Sequence, residues 1–145
     1  MIITLRVECV RGRYRYNECV RVIEIDESAS LLSLHSAIQN SVGFDYDHLF
    51  EFLAGRNHRD RKVVFADDLD WEYAADSLAE ITLKQVYPLP KRLKLYYHFD
   101  FGDDWYFVVK KSRKKPTPPE PGVTYPRVVE RVGPNPKQYG EYEEE

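Results

Sequence analysis

Alternating apolar and polar side chains predict a β-hairpin at the beginning of the chain. Residues 2–9 carry apolar side chains at every second position, and a period of two residues is typical of a half-buried strand. Residues 19–25 are rich in β-branched side chains and predict a second strand. An antiparallel register centred on Tyr14 sets three pairs of residues side by side: Ile3 with Ile25, Leu5 with Ile23, and Cys9 with Cys19.

A helix is predicted over residues 31–42, where four apolar side chains recur at helical spacing: Leu31, Leu34, Ile38 and Val42. Ser30 is a suitable N-cap, and Gly43 can adopt the left-handed conformation after the last turn. Further along the chain, Thr82 can cap a single helical turn. Residues 67–80 are acidic and fit either a loop or a broken helix.

Aromatic and β-branched runs indicate further strands over residues 48–55, 62–66, 93–101 and 105–110. The last two runs are joined by a Gly-Asp-Asp turn and form the clearest hairpin in the sequence. Together with the first hairpin and the helix, these strands predict the α+β class. We expect a mixed sheet of about five or six strands with one main helix packed across it.

The composition changes sharply near Lys110. Residues 110–115 hold five basic side chains in six positions, and residues 116–145 hold seven of the nine prolines and an acidic end. The sequence therefore predicts an α+β core domain of residues 1–111 and a Pro-rich, acidic-ended extension of residues 112–145. Little regular structure is expected in this extension.

Length and composition narrow the class of protein. A chain of 145 residues with 43% hydrophobic and 31% charged side chains is long enough for one ordinary domain with a core. The net charge of −3 argues against nucleic-acid binding by bulk charge alone. Two cysteines are too few for a disulfide framework, so we expect reduced thiols. We expect a cytoplasmic protein with no membrane partner, because the sequence shows neither a signal-peptide pattern nor an apolar run long enough to span a bilayer. We also expect no cofactor.

His35 is the first candidate for chemistry, because helical spacing puts it on the core side of the predicted helix with Gln39 one turn further on. An imidazole at the rim of a groove can bind a metal or act as an acid or base. A half-buried histidine that hydrogen-bonds to a neighbouring strand explains the same position. The sequence leaves both interpretations open.

The second hairpin turn concentrates carboxylates, with Asp100 and Asp103 on either side of Gly102. Such carboxylates can hold a hard cation or share a proton. Asp and Gly also shape turns for backbone reasons alone, because Asp hydrogen-bonds its own backbone and Gly supplies a positive φ. With His35 and His48 they can form a mixed nitrogen and oxygen metal site, although the spacing matches no metal motif.

Basic and aromatic side chains alternate in the first loop: Arg11, Arg13 and Arg15 with Tyr14 and Tyr16. Together with the basic residues in 56–62 and 110–115, they can make a local positive surface on an acidic protein. Aromatic rings between cations suit single-stranded nucleic acid. A solvated loop explains the same residues without a ligand.

Two segments, SLLSLHSAIQNSVGFDYDHLFEF and LYYHFDFGDDWYF, together resemble the plasmid pRiA4b ORF-3-like family. The family's characteristic positions fall at Leu31, Leu34, His35, Ile38, Gln39, His48, Leu49, Tyr97, Asp100, Phe101, Gly102, Asp103 and Trp105. The resemblance covers most of residues 1–110 and implies a β-grasp-like core: a hairpin, a helix across the sheet and further strands. Its members occur on plasmids, in chromosomes and as passengers of insertion elements, and the family has no established activity.

The chain departs from the family pattern at two places. The family usually has a histidine two residues after the tryptophan, and Phe107 occupies that position here. A C-terminal family segment is only echoed by Tyr125-Pro126 and residues 133–136. The resemblance therefore implies no site that needs that histidine or that segment.

The sequence favours a small non-catalytic binding or accessory module, linked to mobile-element or nucleic-acid processes, with nucleic acid or another protein as partner. The alternative is an enzyme with an Asp/His site, with or without metal, between the helix and the FDFGDDW hairpin. Phe107 favours the first class. The candidate polar cleft consists of His35, Gln39, His48, Asp100 and Asp103, with Gly102 and Trp105 as structural signature residues. The sequence assigns no catalytic residue and no metal ligand.

Overall fold

The computed structural model describes residues 1–46, 48–65 and 78–139. In chain order its elements are β1 (Ile2–Arg11), β2 (Val20–Asp26), α1 (Leu31–Val42), β3 (Phe50–Gly55), β4 (Val63–Phe65), α2 (Leu83–Val86), β5 (Lys94–Phe99), β6 (Trp105–Lys111) and β7 (Arg127–Val132). Residues 67–77, which the sequence predicts as either a loop or a broken helix, lie outside the described residues. Thr82 caps α2 as predicted.

The described strands form one seven-stranded sheet in the order β4-β3-β5-β6-β1-β2-β7, and every neighbouring pair is antiparallel. The α+β class is confirmed. The predicted mixed sheet of about five or six strands is wrong in strand count and pairing, because a seventh strand from the C-terminal segment joins β2. The β-grasp-like arrangement stays a prediction.

The first hairpin has the predicted register. Ile3 lies opposite Ile25 and Leu5 lies opposite Ile23, so alternating apolar side chains share one face. The Cys9 amide donates to the Cys19 carbonyl at 3.0 Å, and both thiols are buried and free. Burial raises the pKa of the Cys9 thiol to about 12, so this side chain remains a protonated thiol at neutral pH.

α1 packs across one face of the sheet, as its apolar stripe predicts. The Ser30 side chain accepts from the Ser33 amide at 3.0 Å, and Gly43 closes the helix at φ 73°. Leu34 and Ile38 are fully buried against this face, which carries the main core. The opposite side of the sheet, here called the second face, carries a smaller cluster of Leu53, Tyr96 and Val108 with Tyr106 packed beside it.

The C-terminal segment contributes to the sheet. The expectation of little regular structure in residues 112–145 fails at Arg127–Val132, because this strand, β7, pairs with β2 along most of its length. The buried Arg21 guanidinium strengthens this junction by donating to the Val132 and Gly133 carbonyls and to Asn135 Oδ1. The boundary between residues 1–111 and 112–145 stays a prediction.

Gly133, directly after β7, packs closely against the backbone of the first hairpin. A Cβ at Gly133 would lie 1.7 Å from the Glu18 carbonyl oxygen, whereas one at Gly122 would meet nothing within 4 Å. Both glycines have left-handed backbone, at φ 81° and 79°. We therefore expect Gly122→Ala to cost about 1 kcal/mol, the left-handed penalty alone. Gly133→Ala should cost about 3 kcal/mol, because the steric overlap adds to that penalty.

Urea denaturation of both variants measures the difference between these two losses. Equal losses would contradict the close packing of this segment against residues 18–19.

Candidate functional site

His35 and Gln39 lie one turn apart on α1 and meet the Tyr97 hydroxyl of β5. His35 Nδ1 is 2.5 Å from that oxygen, and Gln39 Nε2 donates to it at 3.0 Å. His35 and Gln39 therefore share the Tyr97 hydroxyl as a common hydrogen-bond partner. Burial raises the pKa of Tyr97 well above its ordinary value, so the hydroxyl keeps its proton.

The remaining contacts of this cluster lie within the helix side of the sheet. The His35 ring stacks on Phe50, with ring centroids 3.6 Å apart and planes 4° apart. Gln39 Oε1 accepts from the Tyr46 amide at 3.0 Å. His35 thus hydrogen-bonds to a neighbouring strand, and the cluster fixes the rotation of α1 on the sheet.

The turn between β5 and β6 brings Asp100 to His48. Asp100 Oδ2 is 3.5 Å from His48 Nε2, and the Tyr139 hydroxyl is 3.4 Å from the same nitrogen. Asp100 Oδ1 accepts from the amides of Gly102 and Asp103 at 3.2 and 3.3 Å. One carboxylate oxygen therefore shapes the turn, and the other faces a histidine.

The other turn residues separate from this pair. Asp103 Oδ1 is 3.6 Å from Arg13 Nη1, so Asp103 faces the loop between β1 and β2. The left-handed residues of the turn are Asp100 at φ 60° and Asp104 at φ 53°; Gly102 has no positive φ. The expectation that Gly102 supplies the positive φ is therefore wrong. Trp105 is fully buried and packs against Phe44, with ring centroids 5.0 Å apart.

The five residues of the predicted cleft thus lie as two pairs and one separate residue, and a single cleft stays a prediction. His35 and Gln39 meet at Tyr97, His48 meets Asp100, and Asp103 faces Arg13. Phe107, in the position of the usual family histidine, is fully buried in the main core. Within the described ranges, no group of three or more His, Cys, Asp or Glu side chains is arranged to hold a metal ion.

A second polar cluster, centred on His98, lies on the second face and was not predicted. His98 Nδ1 is 2.9 Å from Glu51 Oε2, and His98 Nε2 is 2.9 Å from Asp104 Oδ1. The ring lies against Tyr106, with ring centroids 4.1 Å and planes 6° apart. Both contacts are hydrogen bonds at once only when the ring carries two N–H groups or when one carboxyl is protonated.

Arg61 completes this cluster by binding Glu51 with two nearly parallel bonds. Arg61 Nη1 and Nη2 donate to the two carboxylate oxygens at 2.6 and 2.9 Å. This guanidinium, followed by His98, lowers the pKa of Glu51 below its ordinary value, against the opposing effect of burial. Glu51 and His98 are cross-strand neighbours on β3 and β5. The cluster could be predicted from the sequence only if the register between these two strands were known.

A positively charged groove of about 670 Å³ lies at the end of β5 and β6 away from their turn. We call it the basic groove. Six cationic side chains line it: Lys91, Arg92, Lys94, Lys110, Lys111 and Arg113. No acidic side chain from the described part of the chain lines it.

The cations of the basic groove differ from several arginines elsewhere in the protein. Arg6, Arg56 and Arg127 pair with Glu8, Asp60 and Glu24, whereas no described residue forms an ion pair with any of the six groove cations. The Arg11–Arg15 loop lies near the β5–β6 turn, where the Arg13 amide donates to the Asp103 carbonyl. The basic loop of residues 11–15 and the basic segment of residues 110–115 therefore lie at different ends of the sheet.

Comparison with known proteins identifies the family. The model of the plasmid pRiA4b ORF-3-like protein family matches residues 3–140, so the chain belongs to this family. A crystal structure of a protein of unknown function from Methanosarcina mazei Go1 superposes with a TM-score of 0.68 at 24% identity, covering 90% of this chain and 68% of that chain. This likeness shows a shared fold. No curated protein matches the chain. None of the described helices has the length and apolar character needed to cross a membrane.

Tyr97→Phe tests the contribution of the hydroxyl that joins α1 to β5. The change leaves the buried His35 and Gln39 without this partner, so we expect a loss of about 1–3 kcal/mol. Tyr96→Phe on the adjacent residue is the matched control, because its side chain lies on the second face. That variant should stay within about 0.5 kcal/mol of the parent protein. Chemical denaturation measures both, and similar losses would exclude a special role for Tyr97.

Glu51→Gln tests the ion-pair cluster through its pH dependence. Because folding lowers the pKa of Glu51 from 4.5, its contribution to stability is complete above that value and is lost as pH falls through the lower folded pKa. The parent protein should therefore lose more stability than Glu51→Gln between about pH 6 and about pH 3. Glu18→Gln, at an exposed position, should behave like the parent. Equal acid losses in all three proteins, measured by urea midpoints, would refute this prediction.

Proposed function

We propose that this protein is a non-catalytic nucleic-acid-binding module that contacts phosphate groups in the basic groove. The observation that carries this proposal is the concentration of six cations in one groove, none with an ion-pair partner in the described residues. Phosphate backbones are recognised chiefly by such lysine and arginine side chains.

The local charge is the relevant quantity, because the net charge of the chain is −3. Lys94 and Lys110 illustrate the local effect. Leu95 lies opposite Val109, so continuing the antiparallel register sets Lys94 opposite Lys110. Like charges in opposed positions destabilise a sheet, and a bound polyanion removes this repulsion.

Family membership supports a connection of this binding to mobile genetic elements. The family description refers to a plasmid reading frame, and a plasmid-associated accessory protein would meet DNA and RNA in the cytoplasm. The groove has cations and aliphatic walls, with Tyr87 as its aromatic residue. This lining favours contacts to the backbone over stacking on bases.

The second candidate function is an enzyme with its site at His48 and Asp100. The contact between His48 Nε2 and Asp100 Oδ2, with the Tyr139 hydroxyl beside it, favours this alternative. A histidine facing a carboxylate can act as a general acid or base. Stoichiometric metal in the purified protein would favour the enzyme over the binding module.

Salt-dependent binding of a labelled oligonucleotide tests the proposed function. Fluorescence anisotropy with a mixed-sequence strand, single and as a duplex, should show binding that weakens steeply with salt. Lys94→Gln with Lys110→Gln should weaken binding and lower the slope of log affinity against log salt by about 2, one for each lost phosphate contact. Arg127→Gln is the matched control, because Glu24 already neutralises this arginine at the far edge of the sheet.

Two results would refute this function. One is no binding of either oligonucleotide at about 10 μM protein and about 0.05 M salt. The other is an equal effect of the double variant and the control, which would show that the groove is not the binding surface.

A further inference from the structure

A second cavity lies between the first loop and the segment after β7. Its volume is about 210 Å³, and we call it the loop–tail pocket. The residues that line it are Tyr14, Tyr16, Asn17, Pro134, Asn135, Pro136 and Lys137. The pocket thus combines flat ring walls with two amides and one cation, on segments far apart in the sequence.

The tail side of this pocket is fixed to the core by a buried cation. Arg21, which is 1% exposed, donates to the Gly133 carbonyl at 3.2 Å and to Asn135 Oδ1 at 2.8 Å. Asn135 also lines the pocket. These bonds hold residues 133–135 in place, so the tail wall is formed before a ligand arrives.

The loop side is anchored as well. Arg15 Nε donates to the Cys9 carbonyl at 2.9 Å, and the Arg15 amide donates to the Gly12 carbonyl at 3.1 Å. The Arg13 guanidinium lies 5.3 Å from the Tyr14 ring centroid. Tyr16 is 67% exposed, so its ring is accessible from solvent at the edge of the pocket.

The charge behind the pocket favours an anion. Arg21 bonds to the carbonyl oxygens of Ser41, Val20, Val132 and Gly133 and to the Asn135 side-chain oxygen. Within the described residues, no carboxylate pairs with it. A buried positive charge without an opposite charge is costly, and a nearby anion reduces that cost. Lys137 adds a second cation to the pocket.

We propose that the loop–tail pocket binds a nucleotide unit, with a planar base against the tyrosine and proline rings and a phosphate toward Lys137, on the wall that Arg21 supports from behind through Asn135. Aromatic side chains bind bases by stacking with little sequence preference. Asn17 offers both donors and an acceptor to the edge of a base. The volume accommodates one base, which limits the ligand to a mononucleotide or a single unstacked nucleotide of a strand.

This inference is independent of the basic groove, because the two cavities lie at different ends of β1. The groove is next to Ser112, whose amide donates to Thr4, whereas the pocket follows Arg11 through the loop to Asn17. The Lys94→Gln and Lys110→Gln double variant should therefore bind mononucleotides as the parent protein does. This result separates a failure of the proposed function from a failure of this inference.

The experiment is a titration with uridine 5′-monophosphate, monitored by amide NMR spectra of the full chain. We expect saturable shifts at Tyr16, Asn17 and Asn135. Tyr16→Ala should weaken binding about tenfold or more, because it removes a stacking ring at an exposed position. Asn17→Asp, which removes the amide donors toward the base edge and adds a negative charge to a pocket for an anionic ligand, should also weaken binding. Tyr46→Ala, at another exposed tyrosine, should leave binding unchanged.

Ligand fragments define the results that would overturn the inference. Ribose 5-phosphate lacks the base and should bind more weakly than the mononucleotide; equal binding would show a general anion site. No saturable shift up to about 10 mM would exclude the pocket as a nucleotide site. Shifts that persist unchanged in both Tyr16→Ala and Asn17→Asp would place the ligand elsewhere on the protein.

Discussion

The buried guanidinium of Arg21 is the interaction on which the arrangement of this domain depends. From β2 it donates to the Ser41 carbonyl near the end of α1, to the Val132 and Gly133 carbonyls at the end of β7, and to Asn135 Oδ1. Arg131, opposite Arg21 on β7, donates to the same Ser41 carbonyl at 2.7 Å. Two cations at the carbonyl end of a helix also interact favourably with its dipole. Arg21 and Arg131 therefore join the helix, an edge strand and the C-terminal segment.

Local sequence signals were sufficient for the parts of the fold that depend on neighbouring residues. The Ile3–Ile25 register and the Ser30 cap follow from period and capping chemistry, and both are present. β7 was missed because its partner strand is about a hundred residues away and prolines surround it. Arg21 shares its side of β2 with Ile23 and Ile25, as strict alternation requires. That position was a signal that a buried cation needed acceptors from elsewhere in the chain.

The same distinction between local signals and contacts of distant segments explains which parts of the candidate site were predicted. Helical spacing placed His35 and Gln39 on one face, and both reach Tyr97. Asp100 meets His48 and not His35, because helical periodicity does not define the path of the loop after α1. The Glu51–His98 contact depends on which residues of β3 and β5 are opposite each other. Cross-strand register of this kind is not contained in either strand alone.

The strand order has a consequence for how quickly the chain can fold. β1 lies between β2, its neighbour in sequence, and β6, with Val7 opposite Val109. On this side of the sheet, only the first hairpin can form from segments adjacent in the sequence. Its two outer edges pair with β6 and β7, which are synthesised much later. Long loops must close before those contacts form, which makes such topologies slow to fold. During synthesis, the unpaired edges of this hairpin are therefore the surfaces most exposed to misassociation.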